Sequence, residues 1–253
     1  MTMAGTLPIL DIRGLMKNFG GISAIDGLEL ELRTGECLGI IGPNGAGKTA
    51  LVNVISGFYK PSGGEVRFGG ADITGLRLHQ IGRLGIARTY QNVRLFRRMT
   101  VLENVLVGMR AFSLRPLRSF FVLGRGGAER VRAMALLDRF GLAQRADVLA
   151  GTLAYGEARR LEIVRALATQ PRLLLLDEPA AGMNDEETAH LIEDIRASRD
   201  VVEALILIEH DMRLITALAD RVVAMENGSK ISEGTPQEVL AHPRVREAYL
   251  GVE

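Results

Sequence analysis

The chain has 253 residues, of which 47% are hydrophobic and 24% charged, and its formal net charge at pH 7 is +1. This composition is ordinary for a globular protein, and no apolar run approaches the roughly 18 residues that would cross a bilayer. The N-terminus lacks a basic segment followed by an apolar core, so we expect no signal peptide and a cytoplasmic location. The one cysteine, Cys37, excludes an internal disulfide and is typical of a small buried hydrophobe.

The charge is unevenly distributed along the chain. Between Arg77 and Arg132 there are 12 arginines and two acidic residues, a local net charge of +10, whereas the remainder carries −9. This basic segment indicates either a partner surface that is acidic or close to lipid headgroups, or a solvated face that the acidic flanks neutralise after folding. Both interpretations stay open on the sequence alone.

The N-terminal part of the chain predicts short strands and turns. Residues 7–13 form a predicted strand, and strict alternation over 28–33 predicts a half-buried strand that is antiparallel to its neighbour. The segment 17–21 is predicted as a turn carrying Phe19, an aromatic that in isolation is typical of the core. Further predicted strands lie at 36–41 and 65–68.

A glycine-rich motif follows the strand at 36–41 and precedes a predicted helix at 50–55. A strand, a loop of the form G-x-x-x-x-G-K-[ST] and a helix together predict a polyphosphate site, because backbone N–H groups and the helix N-terminus face the phosphates. We expect Lys48 to reach the β- and γ-phosphates and the Thr49 hydroxyl to bind Mg²⁺. The residues predicted to bind the nucleotide here are Gly42, Pro43, Asn44, Gly45, Ala46, Gly47, Lys48, Thr49 and Ala50.

The middle and C-terminal parts predict alternating helices and strands. A capping box between Thr100 and Glu103 opens a predicted helix, and Asn184 is predicted to cap another. An irregular segment at 113–127 carries the aromatic and basic residues Arg115, Arg118, Phe120, Phe121 and Arg125. The predicted helices are 76–84, 101–112, 128–140, 158–168, 184–199 and one after Pro236, and the predicted strands are 85–90, 205–208, 221–225 and 229–232.

Two acidic residues follow a run of four leucines at 173–176, which predicts a strand buried on both faces of a parallel sheet. Asp177 and Glu178 therefore lie where open α/β sheets bind their ligands. Together with Lys48 and Thr49 they indicate an ATPase in which Asp177 holds Mg²⁺, directly or through water, and Glu178 polarises the attacking water.

These motifs occur in one order and spacing that resembles the ATP-binding cassette subunits of ABC transporters over nearly the whole chain. The resemblance implies an α/β P-loop ATPase with a mainly parallel sheet, an antiparallel β-subdomain and a helical subdomain. It divides one domain, 1–253, into a core at about 1–92 and 165–235, a helical subdomain at about 93–164 and a C-terminal extension at about 236–253. The motifs are Phe19, GPNGAGKT at 42–49, Gln91, LAYGE at 153–157, LLLLDEP at 173–179 and His210.

The resemblance also assigns roles that the residues alone do not. Phe19 would stack on adenine, a contact typically worth about 1–3 kcal/mol. Gln91 would sense Mg²⁺ and the attacking water and couple to a membrane partner, and His210 would hold Glu178 and the γ-phosphate in geometry. In isolation, Gln91 and His210 would be read as ordinary loop or core residues. A signature segment would complete the ATP site of the opposite subunit in a head-to-tail dimer; its residues are Leu153, Ala154, Tyr155, Gly156 and Glu157.

Two positions depart from the family pattern. Ala154 stands where a serine is usual, which removes a hydroxyl donor to the γ-phosphate, although backbone N–H groups at the helix N-terminus can still donate. Asn184 stands where an aspartate is usual, which weakens one contact across the dimer. Both departures put in doubt how tightly this subunit closes its partner's site.

Within the family, the segments 87–96, 159–163, 179–184 and the C-terminal residues look like ATPase subunits of branched-chain amino acid importers. That resemblance implies ATP and Mg²⁺ as ligands and a peripheral position at the cytoplasmic face of the inner membrane. Its partners would be a second cassette subunit, two permease subunits and, indirectly, an extracytoplasmic binding protein, with no nucleic acid. Alternatives are cassettes for other amino acids, urea, amides or lipopolysaccharide export, or a non-transport cassette acting on DNA or ribosomes.

Overall fold

The computed structural model describes residues 7–111 and 127–250, without the side chains of the last two. The segment 113–127, predicted as irregular, lies outside the described residues apart from Gly127. Its aromatic and basic residues are therefore all outside them. The strands are β1 Leu10–Phe19, β2 Ile22–Leu32, β3 Cys37–Ile41, β4 Gly63–Phe68, β5 Ala71–Asp72, β6 Ile86–Arg88, β7 Leu173–Asp177, β8 Ala204–Ile208, β9 Arg221–Glu226 and β10 Ser229–Gly234. The helices are α1 Lys48–Ile55, α2 Leu78–Arg83, α3 Val101–Arg110, α4 Gly127–Arg139, α5 Tyr155–Leu167, α6 Asp185–Arg199, α7 Met212–Leu218, α8 Pro236–Ala241 and α9 Pro243–Leu250.

The strands form two sheets. The larger sheet has the order β10-β9-β3-β8-β7-β6, in which all neighbours are parallel except β10, which pairs antiparallel with β9. The smaller sheet has the order β2-β1-β4-β5 and is antiparallel throughout, as the alternating pattern of 28–33 predicted. This combination of a mainly parallel sheet and an antiparallel sheet confirms the predicted fold class.

The parallel sheet is buried on both faces. In β7, Leu174 and Leu176 pack into the apolar cluster formed with helices α3 to α6, whereas Leu173 and Leu175 pack into the cluster shared with α1 and the antiparallel sheet. A strand that carries apolar side chains on both sides in this way is confined to the middle layer. Cys37 in β3 is fully buried, and burial raises the pKa of its thiol to about 12, in line with its predicted core role.

Capping patterns in the sequence mark helix starts correctly. The Thr100 hydroxyl accepts from the Glu103 N–H at 3.1 Å, and the Glu103 carboxylate accepts from the Thr100 N–H at 2.7 Å. Asn184 caps α6 by accepting from the Glu187 N–H at 2.9 Å. These caps are local in sequence, so the pattern alone identifies them.

Several element boundaries were wrong, and the strand predicted over 28–33 begins at Ile22. The predicted turn at 17–21 is mostly strand, because pairing with β2 continues to the register Phe19 opposite Ile22 and leaves only Gly20 and Gly21 to turn. The helix predicted to begin at residue 158 begins at Tyr155, inside the signature segment. The short elements β5, α7 and α9 were not predicted. The division into core, helical subdomain and C-terminal extension stays a prediction.

Within 7–111 and 127–250, no helix is both long and apolar enough to cross a membrane.

Candidate functional site

The glycine-rich loop connects the carboxyl end of β3 to the start of α1. Gly42 and Gly47 adopt φ values of 152° and 99°. A Cβ atom at either position would lie 2.3 Å from a backbone oxygen, that of Met225 for Gly42 and that of Ala24 for Gly47. Only glycine fits in both places, so the loop backbone is packed closely against β9 at Gly42 and against β2 at Gly47.

Lys48 folds back over this loop. Its Nζ donates to the carbonyl oxygens of Gly42 at 2.6 Å and Pro43 at 3.0 Å, and the residue is 6% exposed. Burial lowers the pKa of Lys48, and the nearby carboxylates of Glu178 and Asp177 oppose that effect. The ammonium group is therefore held at the loop where the sequence predicts the phosphates, and Thr49 follows it with an exposed side chain.

Asp177, the last residue of β7, forms a buried ion pair with Arg88 at the end of β6. The Arg88 Nη2 to Asp177 Oδ2 distance is 2.7 Å, and both side chains are less than 8% exposed. Arg88 Nη1 also donates to Asn53 Oδ1 on α1 at 2.6 Å. Arg88 thus joins β6, β7 and α1 behind the glycine-rich loop. Sequence reasoning gave it no role, because a single arginine at a strand end carries no signal of its partner.

Gln91 and Glu178 meet at the carboxyl ends of β6 and β7. Gln91 Nε2 donates to Glu178 Oε2 at 2.7 Å, and the Glu178 N–H donates to the carbonyl of Ile208 in β8 at 2.9 Å. Glu178 has a φ of 47°, a left-handed conformation that is uncommon for a residue with a side chain. The backbone of Glu178 is therefore held by β8, and its carboxylate accepts a hydrogen bond from the segment that follows β6.

His210 lies just beyond the end of β8 with an exposed side chain. The residue before it, Glu209, is fully buried, and its carboxylate accepts from the Ala180 N–H at 2.9 Å and the His210 N–H at 3.1 Å. Burial raises the pKa of Glu209, and these N–H groups oppose the shift. Glu209 ties the His210 backbone to the loop after Glu178. The sequence could have identified Glu209 as a candidate site residue, because it is an acidic residue directly after an apolar strand.

The signature segment forms the N-terminus of α5. Ala154 provides no side-chain cap, and its own N–H donates to the Glu157 carboxylate at 3.3 Å. The Tyr155 hydroxyl donates to the carbonyl of Ala181 at 2.7 Å, in the loop that follows Glu178. A Cβ at Gly156 would lie 3.0 Å from a carboxylate oxygen of Glu187 on α6. Leu153 precedes these residues. The segment is thus packed against α6 and the loop after β7.

Phe19 lies at the end of β1 with 42% of the residue exposed, so the core interpretation of this aromatic was wrong. Its ring meets that of Tyr59 edge to face at 5.0 Å, and Lys17 Nζ lies 4.7 Å from its centroid. An exposed aromatic held by a second ring can stack on a flat ligand.

A groove of about 680 Å³ opens beside the segment that contains Gln91. Its lining includes Leu78 and Phe96, which are 46% and 48% exposed, together with Arg94. Arg94 stacks over the Tyr90 ring at 4.5 Å. This surface combines exposed apolar area with positive charge, and most of its lining residues belong to the basic segment identified in the sequence.

Comparisons with known proteins agree with these features. The ABC transporter family profile matches residues 25–181, and a profile described as a branched-chain amino acid ATP-binding cassette transporter matches 229–253. The chain is 45% identical over 250 residues to the high-affinity branched-chain amino acid transport ATP-binding protein LivG of Salmonella typhimurium, covering 96% of this chain and 98% of LivG. It is 43% identical over 256 residues to the corresponding protein BraF of Pseudomonas aeruginosa, covering 96% and 98%. The crystal structure of the ATP-binding cassette MJ1267 in its ADP conformation superposes with a TM-score of 0.87 at 33% identity, covering 98% and 100% of the two chains.

Arg88 gives a stability prediction. Arg88→Met leaves the Asp177 carboxylate buried without its partner, which typically costs about 3–5 kcal/mol. The matched control is Arg196→Met, whose ion pair with Glu193 at 2.7 Å is half exposed and should contribute about 0–1 kcal/mol. Urea unfolding of the wild type and both variants measures the difference. Equal losses of unfolding free energy in the two variants would contradict the structural role assigned to Arg88.

Proposed function

The chain belongs to the ATP-binding cassettes of ABC transporters, an ATP-hydrolysing family, and we propose that it energises the uptake of branched-chain amino acids through separate permease subunits. The observation that supports its catalytic part best is the contact between Gln91 and Glu178, which fixes a carboxylate beside the glycine-rich loop. The proposed substrate rests on the printed functions of the LivG and BraF relatives and on the profile match at the C-terminus.

In the proposed site, ATP lies along the glycine-rich loop with its phosphates against the N-terminus of α1. Lys48 exchanges its two loop carbonyls for β- and γ-phosphate oxygens, a favourable exchange because the ligand is anionic. Glu178 accepts a proton from the attacking water while Gln91 fixes its orientation, and His210 lies at the adjacent strand end to contact the γ-phosphate.

The residues proposed to hold Mg²⁺ are Thr49, Gln91 and Asp177. A hydroxyl, an amide oxygen and a carboxylate are the hard oxygen ligands that this ion prefers. The amide nitrogen of Gln91 already donates to Glu178, which turns its oxygen to the other side of the group. Asp177 Oδ2 is already paired with Arg88, so Asp177 would hold the ion through its other carboxylate oxygen or through a bound water. In that arrangement the donor set fits, and the bound ion would neutralise charge that develops on the phosphates.

A second cassette subunit completes the site in this proposal. The N-terminus of α5 has no side-chain cap at Ala154, so its backbone N–H groups can donate to a phosphate of the nucleotide on a facing subunit. Phe19 would stack on adenine. ATP binding between two such subunits closes the dimer, and hydrolysis reopens it, which is a ligand-biased two-state switch.

We place the permease contact at the groove beside Gln91, which positions the chain peripherally at the cytoplasmic face of the membrane. The exposed side chains of Phe96 and Leu78 in the groove favour an apolar helical segment, and Arg94 favours an acidic residue on it. The competing functions are transport of another substrate, lipopolysaccharide export and action on nucleic acid. Identifying the protein that this chain binds in the membrane distinguishes among them.

The catalytic assignment predicts a division between binding and turnover. Glu178→Gln keeps the hydrogen bond to Gln91 within reach but removes the base, so kcat should fall by about a hundredfold or more while ATP still binds. Lys48→Ala should lose ATP binding itself. Glu203→Gln, at an exposed carboxylate paired with Arg172 at 2.8 Å, is the control and should behave as wild type. Near-normal turnover by Glu178→Gln would defeat the assignment of the base.

The partner assignment is tested by capture from membranes. The tagged wild-type chain should co-purify with a permease of the branched-chain amino acid type, whereas Arg94→Glu combined with Phe96→Asp should lose the permease and keep nucleotide binding. Arg33→Glu, at an exposed arginine directly after β2, is the control for the charge reversal at position 94. Recovery of a lipopolysaccharide exporter, of ribosomes or DNA, or of undiminished permease by the double variant would contradict the proposal.

A further inference from the structure

Arg159, on the helix that begins with the signature segment, is fully buried. Its guanidinium donates to the carbonyl of Tyr90 at 2.6 Å and also to the carbonyl of Gln91. The two terminal nitrogens of the planar guanidinium thus donate to the carbonyls of two successive residues. These two hydrogen bonds fix the backbone of Gln91, whose side chain contacts Glu178.

Glu162 holds the same segment from one turn further along α5. Its Oε2 accepts from Arg159 Nη1 at 2.8 Å, and its Oε1 accepts from the Arg94 N–H at 3.1 Å. Both side chains of the pair are at most 2% exposed. A buried ion pair is weak evidence for stability, because desolvation offsets its attraction. The hydrogen bonds that Arg159 and Glu162 make to the backbone, by contrast, hold the loop residues 91–94 against one face of α5.

A second branch of the network leads to the loop after Glu178. Arg159 Nη2 lies 3.3 Å from the Tyr155 hydroxyl, which itself donates to the carbonyl of Ala181 at 2.7 Å. One guanidinium therefore reaches both loops that carry the hydrolytic pair, the one with Gln91 and the one that follows Glu178. It also belongs to the helix whose N-terminus faces the partner subunit in the proposed dimer.

We propose that Arg159 is a positioning residue for ATP hydrolysis, which fixes Gln91 against Glu178 and ties both to the signature helix. Movement of that helix, when the partner's nucleotide binds at its N-terminus, is then passed to the chain's own hydrolytic pair. The inference rests on the proposed catalytic role of Gln91 and Glu178. It goes beyond that role in assigning the link between the two halves of the composite site.

Substituting lysine for Arg159 distinguishes a role in positioning Gln91 from a role in neutralising the charge of Glu162. Arg159→Lys keeps a positive charge beside Glu162, but one ammonium cannot reproduce a planar fork that spans two carbonyls. In the membrane-purified assembly, we expect nucleotide affinity and KM to stay at wild-type values and the melting temperature to fall by a few degrees, because one of the two buried carbonyls loses its donor. We expect kcat to fall by about tenfold to a hundredfold, because misplacing a group near the reacting atoms by about 1 Å has effects of that size. Arg160→Lys, the next residue of α5, whose ion pair is with Asp194 at 2.7 Å, is the matched control and should keep the wild-type kcat.

Non-additivity distinguishes action through Gln91 from general weakening. If Arg159 acts through that side chain, Gln91→Ala combined with Arg159→Lys should be no slower than Gln91→Ala alone. A wild-type kcat in Arg159→Lys, a loss matched by Arg160→Lys, or strictly additive losses would overturn the inference. Wild-type turnover by Gln91→Ala would instead overturn the proposed catalytic role, and this inference with it. Should Arg159→Lys fail to fold, Arg159→Met combined with Glu162→Met removes both buried charges, and the same measurements decide.

Discussion

Burial of parallel strands on both faces is the constraint on which this site depends. A strand such as β7, with leucines on each side, has no solvated face on which to place a polar group. Polar residues are therefore confined to the strand ends, and parallel neighbours bring those ends to one edge of the sheet. Lys48, Gln91, Glu178 and His210 follow β3, β6, β7 and β8 at that edge. The groups proposed to act in hydrolysis are therefore gathered there because the strands between them are buried.

Concentrating charge at a buried edge has a cost, and the chain offsets it by pairing. Asp177 has Arg88, the Glu209 carboxylate accepts two backbone N–H groups, and Arg159 has Glu162. The contacts of Arg88 with Asp177 and of Glu209 with Ala180 also join elements that are distant in sequence, and the Arg159–Glu162 pair, within one helix, holds the backbone of the segment 90–94. The same contacts that satisfy buried charges therefore hold the loops of the site in fixed relation to one another.

The sequence predicted what is local and missed what is distant. The glycine-rich loop and the capping box at Thr100 could be predicted because the residues that form each of them lie within a few positions of one another. The run of leucines in β7 was sufficient to predict a buried strand. Arg88 and Arg159 were not assigned, because the groups they contact lie 89 and 68 residues away along the chain. A boundary error at Phe19 has the same origin, since β1 is extended by pairing with β2 rather than by its own pattern.

The central claim is that each chain carries half of an ATP site, with the Lys48 loop on one side and an uncapped helix N-terminus at Ala154 that serves another subunit. The most direct measurement is a structure of the membrane-purified assembly with ATP and Mg²⁺, in which Glu178→Gln prevents turnover. We predict that the γ-phosphate contacts Lys48 of one cassette and the segment 153–157 of the facing cassette. A γ-phosphate enclosed by one chain alone, with the signature segment of every subunit away from nucleotide, would contradict the account.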